Sequence, residues 1–163
     1  MMPGPGSSAI DAGDPATCGP APYDADQRGI ARPQGAACDI GAVEMQGHLL
    51  GVSVSGQGQV NAATSPAPLS GAIAACSSAP GASCQAFYSI ESGTPTIQLA
   101  ATAGMGWRFA GWSGDCTANP ATATPVSVAL DTDKTCTATF AINQYTVAFD
   151  AQGGAAVADI EDD

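Results

Sequence analysis

The sequence predicts an all-β protein, or at most a β-rich α+β one, and three observations carry that expectation. Charged residues make up only 12% of the 163, about half the usual share for a globular domain, so few Lys, Arg and Glu remain to decorate a solvated helix face. The 20 Gly and 12 Pro are scattered among Ala, Ser and Thr, the chemistry of turns rather than of long elements. Between those breakers, apolar and polar residues alternate at period two, the pattern of a half-buried strand.

Taken in order, residues 1–46 are rich in Gly, Pro and Asp, with apolar stretches as short as Ala9-Ile10 and Ile40-Gly41-Ala42-Val43. Such a segment is expected to bury no core by itself and to be the end of something larger. From His48 the texture changes: Leu49 to Val54 alternate, and Gly56-Gln57-Gly58 supply a turn before Val60. Residues 61–84, mostly Ala, Ser, Pro and Gly, are expected to form a loop. Phe87 to Ile90 and Thr96 to Thr102 each suit a short strand, and Gly106 to Trp112 places Trp107 and Phe109 on one face with Arg108 on the other. Val126 to Leu130 and Thr135 to Phe140 alternate around Asp131-Thr132-Asp133-Lys134, which predicts a β-hairpin.

Tyr145 to Phe149, then Gly153-Gly154 and Val157, repeat the strand, Gly-turn, Val order of residues 52–60. The expected organisation is therefore 1–46 as an end segment, 47–142 as one module, and 143–163 as the truncated start of a second. The acidic tail, Asp159 to Asp163, is expected to be disordered. Left unpaired, Tyr145 to Phe149 would be an exposed edge open to self-association.

Six cysteines fall at 18, 38, 76, 84, 116 and 136, with no Cys-x-x-Cys and a single histidine, His48. The spacing of a zinc finger or ribbon is absent. An even count in β-rich, weakly apolar sequence points instead to a disulfide framework and an oxidising compartment. Of the fifteen possible pairings, the local one (Cys18–Cys38, Cys76–Cys84, Cys116–Cys136) is preferred because each couple brackets a turn-rich segment. Met1-Met2-Pro3-Gly4-Pro5-Gly6 has neither the basic nor the apolar region of a signal peptide, so the chain is expected to be a fragment of a longer exported protein.

Four Lys+Arg stand against 15 Asp+Glu, a formal net charge of -11. That argues against nucleic acid or an anionic membrane as partner. No apolar run is long enough to span a bilayer. Catalysis has little to work with: Ser113 lacks a Gly-x-Ser-x-Gly elbow, and His48, expected to be exposed at a junction, is the one imidazole available as a base. Asp24 with Asp26, and Asp131 with Asp133, offer paired carboxylates for Ca²⁺, but lack the glycine and distant Glu of an EF-hand. They are expected to be solvated turn residues, as are Asp11 and Asp14. Arg28 and Arg32 are expected to pair with carboxylates or carbonyls nearby. No catalytic residue, metal site or cofactor is assigned. Trp107 and Trp112 are the candidates for a glycan contact, against the competing expectation that they and Phe109 pack in the core.

Two stretches resemble known families. Ser8 to Asp14, Asp26 to Pro33 and Cys38 to Glu44 resemble the closing segment of bacterial surface proteins that carry a right-handed parallel β-helix before an anchor or repeat region ("choice-of-anchor" proteins). Gly106-Trp107-Arg108-Phe109-Ala110-Gly111-Trp112-Ser113-Gly114-Asp115-Cys116 and Cys136-Thr137-Ala138-Thr139-Phe140 make residues 48–142 similar to a divergent bacterial repeat related to the internalin B-repeats. The resemblance implies a terminal β-helix coil followed by a small, mostly antiparallel β module on a secreted or surface protein. It implies a non-catalytic stalk, spacer or adhesion unit. The alternatives are a carbohydrate- or matrix-binding module and the non-catalytic tail of a polysaccharide-cleaving β-helix enzyme.

Overall fold

The computed structural model describes residues 2–14, 16–118, 120–147 and 160–162. It is all-β, with ten strands and no helix among those residues: β1 (Gly47–Ser55), β2 (Gly58–Ala62), β3 (Ser70–Ala74), β4 (Ser83–Ser89), β5 (Thr96–Ala103), β6 (Trp107–Gly114), β7 (Val126–Ala129), β8 (Lys134–Ile142), β9 (Tyr145–Val147) and β10 (Ile160–Asp162). A five-stranded sheet runs β3-β4-β1-β8-β6 and a three-stranded one β2-β5-β7. All pairings are antiparallel except the central one, β1 with β8.

The two sheets share one core. Leu50, Val52, Ala86, Tyr88, Cys136, Ala138 and Phe140 of the larger sheet cluster with Val60, Ile97, Leu99, Val126 and Val128 of the smaller. Alternation explains the selection: on β5, Ile97 and Leu99 are buried between exposed Thr96, Gln98 and Ala100. Each fully buried Leu, Ile or Val contributes roughly 1.5–3 kcal/mol of transfer free energy. The chain turns from β1 into β2 at Gly56, whose φ of 85° is left-handed. Gly58 lets the β2 backbone lie against the Phe140 ring, where any Cβ would collide.

Several expectations are corrected. Val126–Leu130 and Thr135–Phe140 are not a hairpin. β7 pairs with β5, setting Leu99 opposite Val126 and Ile97 opposite Val128, whereas β8 pairs with β1 and β6. The chain crosses between sheets at Asp131–Asp133, so both strands alternate inward toward one core from opposite sides. Residues 61–84 are not one loop, because Ser70–Ala74 forms strand β3 on the edge of the larger sheet, with Ser70 opposite Phe87 and Ala74 opposite Ser83. Backbone pairing to a well-packed neighbour overrides the weak strand propensity of Ser, Gly and Ala.

At the C-terminal end, Tyr145–Val147 pairs with Ile160–Asp162, Val147 opposite Ile160, so that part of the expected disordered tail is strand. Phe149, Gly153-Gly154 and Val157 of the internal echo lie outside the described residues. Residues 2–46 hold no strand among those described, only an isolated bridge between Ala25 and Ala31. Disulfides join Cys18–Cys38, Cys76–Cys84 and Cys116–Cys136. No helix among the described residues is long and apolar enough to cross a membrane.

Candidate functional site: a carboxylate clasp beside the sandwich

Without a ladder, the N-terminal segment must satisfy its backbone N–H groups another way, and it does so with buried carboxylates. Among the described residues, Asp26, Asp39 and Glu44 are the buried charged ones, Glu44 only 1% exposed. Asp26 Oδ1 accepts the N–H of Arg28 (2.6 Å) and of Ile30 (3.1 Å), and Oδ2 that of Glu44 (2.9 Å). Asp39 accepts from Asp11 N (2.9 Å) and Met45 N (2.7 Å). Glu44 accepts from Gln34 N and Asp39 N, both at 2.9 Å. Each carboxylate thus ties together backbone positions distant in sequence, the work a β-ladder does elsewhere.

Two arginines complete the clasp. Arg28 donates from Nε to Asp26 (2.9 Å), from Nη1 to Glu91 (3.3 Å) and from Nη2 to the Glu44 carbonyl. Arg32 donates to the carbonyls of Asp39 (3.1 Å) and Gly41 (2.7 Å), with Nε 3.7 Å from Glu44 Oε2. Burial alone would push the Asp26 carboxyl up, but the N–H groups of Glu44, Ile30 and Arg28 and the Arg28 guanidinium outweigh it and hold it well below the usual carboxylate range. Asp26 in turn raises Arg28 above its ordinary value.

The clasp is joined to the sandwich. Glu91, just beyond β4, accepts both Arg28 Nη1 (3.3 Å) and the Gln46 N–H (3.2 Å) on its Oε1. Ile10 and Met45 bury themselves with Leu69 and Phe87 in a second small core. Beside this contact runs an open groove of about 640 Å³, lined among others by Asp11, Gln34, Leu49, Gln85, Phe87 and Asp133. Asp11 has a φ of 53° and accepts the Ala37 N–H (3.3 Å) through Oδ1, while its buried Oδ2 has no hydrogen-bond partner.

The remaining singled-out residues are dispersed. Asp26 is buried, whereas Asp24 is exposed. Asp131 binds Lys134 (2.8 Å), which lowers its pKa, and Asp133 accepts the Leu49 N–H (2.9 Å). Neither pair converges as a Ca²⁺ site, and no group of three or more potential metal ligands occurs among the described residues. Asp14 caps a turn by accepting the Ala16 N–H (2.9 Å). His48 is half-buried rather than exposed, with Nδ1 3.4 Å from Asp133. Ser113 lies on β6 opposite Thr137 of β8, with β1 and its His48 one strand further on.

Trp112 is 5% exposed. Its indole donates to the Ala123 carbonyl (3.0 Å) and packs edge-on against Phe109, the centroids 5.3 Å apart. It offers no open face for a sugar. Trp107 is half-buried against the same core. Sequence reasoning did not single out Asp39, Glu44 or Glu91. The available signal was charge set among apolar neighbours, in Cys38-Asp39-Ile40 and Val43-Glu44-Met45, where an unpaired carboxylate would be costly.

No curated protein and no solved structure matches the chain. Residues 81–144, which contain β4 through β8, match the family model of the divergent InlB B-repeat domain, a bacterial surface-module type.

Proposed function

We propose that the chain is part of a secreted or surface-displayed bacterial protein and serves there as a non-catalytic stalk or spacer. In this reading, residues 47–142 are one module, residues 1–46 couple it to a preceding β-helix, and residue 143 onward begins another module. The match of residues 81–144 to a B-repeat family carries the reading. Three disulfides, which persist in oxidising compartments, support an extracellular setting. The clasp also suits a coupling role, since its carboxylates and arginines bond to the chain's own backbone. A titration against extracellular glycans and matrix proteins, read by tryptophan fluorescence and light scattering, tests it. A spacer gives flat traces. Saturable binding that Trp107→Ala abolishes would replace the spacer with a glycan-binding module.

A further inference from the structure

β1 opens the sandwich and β8 closes it, yet the two lie side by side as parallel neighbours in the middle of the larger sheet. Six residue pairs align, from Leu50 opposite Lys134 to Ser55 opposite Thr139. The chain enters the pair at Gly47 and leaves it at Ile142. Because the strands are parallel, those points sit at opposite ends of the pair. Tension along the polypeptide therefore drags β1 and β8 past each other along their length. The evenly spaced bonds of a parallel ladder then share the load and fail together. In an antiparallel pair pulled apart at one end, the bonds break one at a time.

The surroundings favour such a ladder. β4 and β6 flank it on either side, and Leu50, Val52, Cys136 and Ala138, none more than 5% exposed, floor it against the core. Buried hydrogen bonds are electrostatically stronger and less open to exchange with water. Cys136, opposite Val52 within the ladder, is also tied covalently to Cys116 just beyond β6.

We propose that the β1–β8 pair is a shear clamp, which makes the module a load-bearing link whose extension the disulfides limit once the clamp yields. The proposal deepens the spacer reading and rests on it for its biological use, although the clamp itself follows from strand order. Cys76–Cys84 and Cys116–Cys136 close loops with sequence separations of 8 and 20. About 28 residues thus stay out of the stretched chain, roughly 95 Å at about 3.4 Å per residue.

Single-molecule force spectroscopy on the full chain, held between marker domains, tests the clamp in two geometries. In the first, the protein is pulled by its two ends. In the second, it is pulled by its N-terminus and a handle at exposed Ser92, so that Gly47 opposite Ser89 is the loaded end of the antiparallel β1–β4 pair. Residues 1–46 lie in the load path both times, and Glu91→Ala, made in both geometries, removes their bonds to Glu91 beside the Ser92 handle. The expected result is a main rupture force about twofold or more higher in the end-to-end geometry, since forced rupture reports the unfolding barrier along the pulled direction. Reduction should lengthen the end-to-end extension by three released loops, these two and the Cys18–Cys38 loop of sequence separation 20. Equal rupture forces in the two geometries would overturn the clamp. A protein that binds glycans yet keeps the directional difference retains the clamp and loses the spacer reading.

Discussion

Asp39 and Glu44 brace each other crosswise. The Asp39 N–H donates to Glu44 Oε2 at 2.9 Å, while the Asp39 carboxylate takes the N–H of Met45, the residue after Glu44, at 2.7 Å. Asp39→Asn should expose how much this brace contributes. An amide in that place can satisfy one of the two N–H groups now held, Asp11 and Met45, and turns a donor toward the other. One orphaned buried donor costs about 1–3 kcal/mol. The expected outcome is a lower melting temperature with faster amide exchange at Asp11 or Met45 and unchanged exchange at Val52 and Leu99. The control Asp24→Asn, on an exposed residue, should shift stability by no more than about 0.5 kcal/mol.

Acid should loosen the clasp before it unfolds the sandwich. Asp26 is held below its ordinary value of 3.8 in the folded protein, so its contribution is complete above that value and lost as the pH falls beneath it. Asp131, lowered by Lys134, acts in the same direction from an exposed position. Thermal stability followed from neutral pH downward should stay level to about pH 5 and fall between about pH 4 and pH 2. Asp26→Asn should lower the plateau and flatten the acid limb. An unchanged acid limb in that variant would remove Asp26 as its source.

The two tryptophans should separate optically. Trp112 is sealed in the core and Trp107 only half so, so iodide should quench mainly Trp107. Trp107→Phe should leave blue-shifted, poorly quenched emission. Trp112→Phe deletes the bond to the Ala123 carbonyl and should cost about 1–3 kcal/mol, with faster exchange at Trp112, whose N–H donates to the Ala121 carbonyl and holds that loop to β6.

Replacing Cys18 and Cys38 together by Ser should act on the segment alone. A loop of sequence separation 20 is worth about 3 kcal/mol on the chain-entropy view. Hydrogen exchange in residues 10–45 should rise while the amides of β1, β5 and β8 stay protected. Intact mass after alkylation, with and without reduction, should count the remaining two disulfides.

Which side of each strand faces inward was legible, because burial acts residue by residue: Val126, Val128, Leu130 and Cys136, Ala138, Phe140 are all buried. Which strand lies beside which was not. The same alternation serves a hairpin and a crossing between sheets, and the choice is made by partners far away, β5 for one strand and β1 for the other. Ser70–Ala74 was hidden because Ile73 is its one large apolar residue, and pairing with β4 is what makes it a strand. The clasp was hidden for a different reason. Its carboxylates bind backbone N–H groups, which every residue but proline carries, so the partners leave no mark in the sequence.

The parallel contact between the first and last strands of the sandwich also sets when the protein can fold. Leu49 and Asp133, which bond at the foot of that pair, are 84 residues apart. Closing so long a loop is an entropic cost met before any reward, and high contact order slows folding. A nascent chain that ends short of β8 lacks the middle of its larger sheet, leaving β6 without its neighbour and Cys116 without Cys136. Each such unit stays open until its last strand arrives and then closes as a whole.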